Sequence, residues 1–239
     1  MRRFLSALLC IAAAAAACVV FSACEKQKDD TNAAGTDSEN GGVIDGGWSR
    51  TESVEVSDKI KALFEKASAE KGGSSFVPVA CLESQVVAGF NHLALCRVAH
   101  AAPDASETYA LVTLYEDPDG NAEITDVRNS GATALFYEGM TGSWVEPESP
   151  VPTDDAKAAL AKACETLTGA EYKPVALLGT QVVAGTNYRI LCESRHGVSG
   201  AASEYLIVTV YADLCGNAVI TETYGFEGAE IEPVSDPAE

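Results

Sequence analysis

Basic side chains are scarce in this 239-residue chain, which has 16 lysines and arginines against 35 aspartates and glutamates and a net charge of −19. Proteins that bind nucleic acids neutralise phosphates with basic side chains, so this scarcity excludes a nucleic-acid function of that kind. It also opposes docking of the chain on an anionic lipid surface. Any attachment to a membrane must therefore come from a lipid or from an apolar segment.

Histidine is rarer still. The sequence has three histidines, His92, His100 and His196, and none of them completes a catalytic triad. Cys96 and Cys192 each precede a histidine by four positions, but on a strand such residues lie about 13 Å apart. That distance is too long for shared ligation of a metal ion or for a thiol and its base. The sequence therefore predicts no enzyme, no metal site and no cofactor.

The N-terminus has the order of a secretory signal. Two arginines precede an apolar stretch over residues 4–21, and a charged run follows, which predicts a signal peptide over residues 1–23. The ending Ser22-Ala23-Cys24 resembles a bacterial lipobox, which implies lipidation at Cys24 and a place in the cell envelope, on the outer face of the membrane. The alternatives are ordinary signal cleavage and a transmembrane anchor, because the apolar stretch just reaches the length of a spanning helix.

Residues 24–45 contain few large apolar side chains and many aspartates, asparagines, glycines and serines. Such a segment cannot bury enough surface to fold. We therefore predict a flexible tether with a root-mean-square reach of about 25 Å.

The remainder of the chain is one unit that occurs twice. An offset of 96 positions aligns residues 46–127 with the second unit without a gap, and Gln85-Val86-Val87-Ala88-Gly89 then falls on Gln181-Val182-Val183-Ala184-Gly185. This period is far longer than that of solenoid repeats, so it predicts two tandem globular domains. The predicted boundaries are 46–130 for the first domain, 131–141 for a linker, 142–226 for the second domain and 227–239 for an acidic tail.

Each unit begins with one helical pattern and continues with strands. Ser57-Asp58 is the candidate cap of the first helix, which should end at Gly72-Gly73, and Thr153-Asp154-Asp155 is the candidate cap of the second. The strands expected in the first unit cover 76–87, 91–99, 109–116 and 122–127. Short turns between them make neighbouring strands antiparallel. The predicted fold class is α+β, with a four-stranded (or five-stranded) antiparallel sheet packed on one helix in each domain.

Each unit resembles the cystatin family, because a helix comes first, four antiparallel strands follow it, and Gln-Val-Val-Ala-Gly lies at the first strand turn. The pentapeptide corresponds to the Gln-x-Val-x-Gly signature of that family and occurs in both units. Gly46 and Gly47 lie where cystatins have the glycine of their N-terminal trunk. The resemblance covers about residues 43–224 and implies two tandem cystatin-like domains.

In cystatins, the trunk and two hairpin loops form a wedge that enters the active-site cleft of papain-like cysteine proteases. The resemblance therefore implies a cysteine protease inhibitor whose partner is such a protease and which needs no cofactor. The protease-binding residues that it implies are Gly46, Gly47, Gln85, Val86, Val87, Ala88, Gly89, Pro118, Gln181, Val182, Val183, Ala184 and Gly185.

The second hairpin loop departs from the cystatin pattern. Cystatins usually have a Pro-Trp pair there, whereas this chain has Pro118-Asp119-Gly120 in one unit and Leu214-Cys215-Gly216 in the other. Valine-rich alternation at a hairpin is also common in sheets that bind nothing. The alternative function is therefore a binding or display module on the same fold, without protease inhibition.

Five cysteines follow Cys24, and an exported protein meets conditions that permit disulfides. Cys81 and Cys96 are symmetric about the first hairpin turn and form one candidate pair, while Cys164 and Cys192 form the candidate pair of the second unit. Equally, these cysteines are small apolar residues suited to a core. Cys215 would remain as an exposed free thiol in a turn.

Overall fold

A computed structural model describes residues 46–100, 106–134, 136, 141–165, 167, 170–196 and 203–228, which belong to one compact unit. The first half contains β1 (Trp48–Arg50), α1 (Asp58–Lys71), β2 (Ser74–Val87), β3 (Gly89–His100), β4 (Thr108–Glu116) and β5 (Ala122–Thr133). The second half contains β6 (Trp144–Val145), α2 (Asp154–Cys164), β7 (Ala170–Val183), β8 (Gly185–His196), β9 (Glu204–Ala212), β10 (Ala218–Tyr224) and β11 (Phe226–Gly228).

Both helices begin at the residues that the sequence predicts. The hydroxyl of Ser57 accepts a hydrogen bond from the backbone N–H of Ile60 at 3.4 Å, and the hydroxyl of Thr153 accepts one from Ala156 at 3.2 Å. Each bond satisfies a backbone donor that the first helical turn cannot pair. Helix α1 ends where Gly72 adopts a positive φ of 63°, which glycine adopts without steric cost.

Every strand pairing is antiparallel. The first sheet has the order β1-β2-β3-β4-β5-β11, and the second has the order β10-β9-β8-β7-β6. Strand β11 comes from the end of the second half, yet it pairs with β5 of the first half, with Phe226 opposite Ser130. The last strand that the structure describes therefore extends the sheet of the other half.

Among the described residues the buried side chains form three clusters, and each sheet contributes to two of them. One cluster lies between α1 and the first sheet, and another lies between α2 and the second sheet. The remaining cluster joins the two sheets face to face. Its buried members are Ala80, Leu82, Leu93, Leu95, Tyr109, Leu111, Ala132, Ala134, Ala176, Leu178, Leu191 and Ile207.

The predicted fold class, α+β with a four-stranded (or five-stranded) sheet on one helix in each of two cystatin-like domains, is wrong. The described chain is mostly β, with antiparallel sheets of six and five strands and only two short helices. The reason is burial on both faces of each sheet. In β3, Ala94 and Cys96 point to the cluster at α1, whereas Leu93 and Leu95 belong to the cluster between the sheets. The prediction gave each sheet one buried face and so missed the layer in which sheet packs on sheet.

Candidate functional site

Three separate segments meet at one end of the first sheet. They are residues 46–48, the hairpin of residues 85–90 and the turn of residues 116–121, which together are called tip 1. The backbone N–H of Gly46 donates to the carbonyl of Val86 at 3.3 Å. The hairpin contacts the turn on its other side, where a Cβ built on Gly89 would lie 2.2 Å from the carbonyl oxygen of Glu116.

The side chain of Gln85 joins the N-terminal segment to the hairpin. Its Nε2 donates to the carbonyl of Gly46 at 2.9 Å, and its Oε1 accepts a hydrogen bond from Nδ2 of Asn91 at 2.7 Å. A glutamine is suited to this position because one amide supplies both a donor and an acceptor. The signature glutamine is therefore a structural link inside tip 1.

The hairpin turn is tight because Val87 and Gly89 are directly opposite each other, with Ala88 between them. Gly89 has a φ of 126° and lies against the backbone of the neighbouring turn, so both its conformation and its surroundings require glycine. The hydroxyl of Tyr115 donates to the carbonyl of Ala88 at 2.6 Å. This hydrogen bond fixes the apex of the hairpin.

The third segment is a turn closed by Asp117. Its Oδ1 accepts hydrogen bonds from the backbone N–H groups of Asp119 and Asn121 at 2.9 and 2.8 Å, and its Oδ2 accepts one from Nδ2 of Asn121 at 2.8 Å. The hydrogen bonds from Asn121 lower the pKa of Asp117 below its ordinary value. Pro118 and Asp119 are exposed at the apex, so this segment is rigid and acidic.

The second half builds the same arrangement at one end of its own sheet. Residues 142–144, 181–186 and 212–217 are called tip 2. Gln181 donates to the carbonyl of Gly142 and accepts from Asn187, each at 2.7 Å, and Tyr211 donates to the carbonyl of Ala184 at 2.6 Å. The φ of Gly185 is 134°, and a Cβ there would lie 2.3 Å from the carbonyl oxygen of Ala212.

The two tips differ in the chemistry that they present to solvent. In tip 2, Val182 is 70% exposed and Leu214 is 86% exposed, and Val183 beside them is also exposed. In tip 1, Val87 and Phe90 of the hairpin are 40% and 44% exposed, and the residues at the apex of the turn are Pro118 and Asp119. Tip 2 is therefore apolar, whereas tip 1 combines an apolar hairpin with an acidic turn.

An ion cluster borders tip 1. Glu116 is buried, and its two carboxylate oxygens contact Lys59 Nζ at 2.7 Å and His92 Nε2 at 3.0 Å. Burial acts to raise the pKa of Glu116, but the hydrogen bonds from Lys59 and His92 outweigh it, so the pKa lies below its ordinary value. In the second half, 96 residues later, Lys59 is replaced by Asp155, Glu116 by Ala212 and His92 by Tyr188. This cluster is therefore a feature of the first half.

The structure brings all the predicted protease-binding residues into the two tips. The trunk residues Gly46 and Gly47 lie beside the first hairpin, Pro118 lies in the adjacent turn, and both Gln-Val-Val-Ala-Gly segments form hairpin ends. The prediction left out Gly142 and Leu214, as well as the two tyrosines that hold the hairpin apices. The 96-residue offset relates all four to the first half, since it aligns Gly142 with Gly46, Leu214 with Pro118 and Tyr211 with Tyr115.

The candidate disulfide partners have free thiols. A β-bulge shifts the pairing of β2 with β3, so Cys81 is opposite Ala94 and Cys96 is opposite Pro78. Burial raises the pKa of Cys81 to about 11 and that of Cys192 to about 12, which makes both thiols poor nucleophiles. In the described part of the chain no three His, Cys, Asp or Glu residues are grouped as metal ligands.

The chain matches no protein-family model and no curated protein. The predicted signal peptide of residues 1–23, the predicted lipidation site at Cys24 and the predicted tether of residues 24–45 lie outside the described residues. Among the residues that the structure does describe, no helix is both long enough and apolar enough to cross a membrane.

Proposed function

We propose that this protein inhibits papain-like cysteine proteases, reversibly and in competition with substrate, by inserting tip 1 or tip 2 into the active-site cleft. One observation carries the proposal. Each half joins an N-terminal glycine segment, a Gln-Val-Val-Ala-Gly hairpin and a second turn at one sheet end, with the same hydrogen bonds in both halves. That combination of segments is the one that the resemblance to cystatins implies.

The geometry of the tips suits insertion into a narrow cleft. Gly89 and Gly185 carry no side chain, so each hairpin lies directly against the backbone of its neighbouring turn and the two segments project side by side. The apex carbonyls are held by Tyr115 and Tyr211, which limits the conformational entropy that the hairpins lose on binding. The exposed valines gain free energy when a partner covers them.

Tip 2 is the better candidate for an apolar cleft, because Val182, Val183 and Leu214 are all exposed. The only acidic side chain in its turn is Asp213, whose carboxylate accepts a hydrogen bond from the side chain of Asn217. In tip 1, the exposed carboxylate of Asp119 would be repelled by a cleft with an acidic rim. The two tips therefore differ in the proteases that they would accept.

The N-terminal pattern sets the proposed location. A lipid on Cys24 would hold the protein on the outer face of the membrane of a bacterial cell, with the tether between the lipid and the folded chain. The whole chain has a net charge of −19, and the anchored form would have −21 because Arg2 and Arg3 leave with the signal peptide. This charge supports attachment by the lipid alone, since an acidic protein is repelled by anionic headgroups. An inhibitor in this place meets proteases at the cell surface.

A binding or display module without a protease target is the second candidate. The observation that favours it is the turn of tip 1, where Asp119 stands in place of the tryptophan that cystatins usually have. In this alternative, the same exposed tips bind a protein that is not a protease.

The deciding experiment titrates papain with the full-length protein, purified in detergent, and measures hydrolysis of a small peptide substrate. The wild type should inhibit competitively. The double variant Val87→Asp/Val183→Asp places a charge on each hairpin and should weaken inhibition at least about 100-fold, because the cleft would bury an unpaired carboxylate. Val151→Asp, at an exposed valine away from both tips, should inhibit like the wild type.

Absence of inhibition by the folded wild type at micromolar concentrations would refute the proposal and favour the second candidate. Equal inhibition by the wild type and the double variant would show that the hairpins are not the binding surface. Circular dichroism of all three proteins checks that the variants fold.

A further inference from the structure

The contacts between the sheets near tip 1 show which part of the second sheet lies beneath it. Glu83 is four residues from the hairpin end at Val87, and its carboxylate accepts a hydrogen bond from the hydroxyl of Tyr205 at 2.6 Å. Arg50, which is opposite Glu83 in the first sheet, forms an ion pair with Glu193. Tyr205 and Glu193 are paired residues near the end of the second sheet that is remote from tip 2.

The contacts near tip 2 show that it lies over the end of the first sheet that is remote from tip 1. Arg189 is four residues from Gly185, and its guanidinium donates to the carbonyl of Thr133 at 2.7 Å. Thr133 ends β5, and it is opposite Thr108 at the end of the first sheet that is remote from tip 1. Next to this contact, the hydroxyl of Tyr109 donates to the carbonyl of Leu178 at 3.5 Å, and Leu178 precedes the residue that is opposite Arg189.

These contacts overlay the two sheets head to tail. The end that carries each tip lies over the opposite end of the other sheet, so the two tips project from opposite ends of the molecule. The central strands β3 and β8 have 12 residues each. With a rise of about 3.3 Å per residue, the two tips are roughly 40 Å apart.

We infer that the protein is two-headed and that tip 1 and tip 2 hold two protease molecules at the same time. This inference rests on the proposed function. The two bound proteases would project away from each other along the long axis of the sheets, so neither would cover the other tip. The apex residues of both tips are exposed. Helix α1 reaches the side of tip 1 through Lys59 and Lys66, whose ammonium groups contact Glu116 and Asn121, and it leaves Ala88 and Pro118 at the apex uncovered. Each tip therefore remains accessible when the other is occupied.

The different surfaces of the tips give the two heads different affinities. Tip 2 offers Val182 and Leu214 to an apolar cleft, whereas tip 1 offers Asp119. A protease with an apolar cleft and an acidic rim would bind tip 2 first, and a protease with a basic rim would bind tip 1 more readily. One anchored molecule would thus bridge two unlike proteases.

A sandwich binding experiment tests the inference. Papain immobilised on a sensor surface captures the full-length protein, and free papain is then passed over the captured layer. Two heads predict a second increase in bound mass, and active-site titration at concentrations well above the inhibition constant should reach full inhibition at two papain molecules per chain. Val87→Asp and Val183→Asp, tested singly, should each be captured but should bind no second papain and should titrate at one papain per chain.

The outcomes separate the two proposals. Capture with full inhibition at one papain per chain, and no second layer, overturns the two-headed inference and leaves the inhibitor function intact. Absence of both capture and inhibition overturns the inhibitor function and the two-headed inference with it. A second layer that survives in both single variants also overturns the inference, because the second papain would then be bound elsewhere.

Discussion

Damage to the cluster between the sheets should unfold both halves of the molecule together. Leu178 of β7 is 1% exposed and packs in that cluster with Leu95 and Leu111 of the first half. Leu178→Ala removes buried methyl groups and leaves a cavity, at a cost of about 2–5 kcal/mol. With a loss of about 3 kcal/mol and a urea slope of about 3 kcal/mol per molar, the unfolding midpoint should fall by about 1 M.

The two tryptophans of the chain provide one probe for each half. Trp48 lies in β1 of the first half, and Trp144 lies in β6 of the second half. Two versions of the protein, Trp48→Phe and Trp144→Phe, each keep one probe, and urea unfolding is followed by fluorescence with and without Leu178→Ala. One cooperative unit requires Leu178→Ala to lower the midpoint by the same amount in both versions, because each tryptophan substitution shifts the starting midpoint by its own cost.

A control substitution separates shared packing from local packing. Leu160 lies in α2, is 2% exposed and packs only in the cluster of the second half. In one cooperative unit, Leu160→Ala also lowers the midpoints of both probes. If Leu178→Ala lowers the midpoint of the Trp144 probe and leaves that of the Trp48 probe unchanged, the halves unfold independently and the cluster between the sheets does not couple them.

Three smaller changes test the tips and their border. Gly89→Ala should lower the melting temperature more than Gly120→Ala does. A Cβ at Gly89 would lie 2.2 Å from a backbone oxygen, whereas one at Gly120 would have no atom within 4 Å. Equal melting temperatures would contradict the close approach of the hairpin to the turn. Tyr211→Phe removes the hydrogen bond to the hairpin apex, which is worth about 0.5–1.5 kcal/mol. Amide hydrogen exchange at residues 183–185 should therefore be faster, and the affinity for papain should be lower by up to about 10-fold. Unchanged exchange would contradict this role of Tyr211. Glu116→Gln should destabilise the protein by about 1–2 kcal/mol at pH 7. Because the folded-state pKa of Glu116 lies below its ordinary value, the stabilisation by its charge is present above about pH 4.5 and is lost as the pH falls. The urea midpoints of the variant and the wild type should therefore converge towards pH 3.

Local structure was predictable because it depends on neighbouring residues. The caps at Ser57 and Thr153 follow from side-chain oxygens three residues before an unpaired backbone N–H. The first strand after α1 was expected over residues 76–87, and β2 covers Ser74–Val87. The hairpin at Ala88 follows from the two apolar runs on either side of a glycine.

The arrangement of layers was not predicted, although β3 carries a signal for it. Residues 93–96 are apolar in sequence and consecutive in the strand, and all four are buried. A strand with one buried face alternates between apolar and polar residues, so four buried residues in succession indicate a core on each side. Strand β11 had no such signal, because three residues near the end of the chain form a strand only when β5 offers them a free edge.

The two halves keep the same residues where these hold the shape of a tip and differ where side chains point to solvent. The network of Gln85, Asn91 and Tyr115 recurs without change 96 residues later. The exposed apex of the turn is different, since Pro118-Asp119 corresponds to Leu214-Cys215. The faces of both sheets are covered, by a helix on one side and by the other sheet on the other, so the sheet ends are the surfaces left to diverge. If the tips bind partners as proposed, an unchanged framework beneath a changed apex allows the two tips to bind different ones.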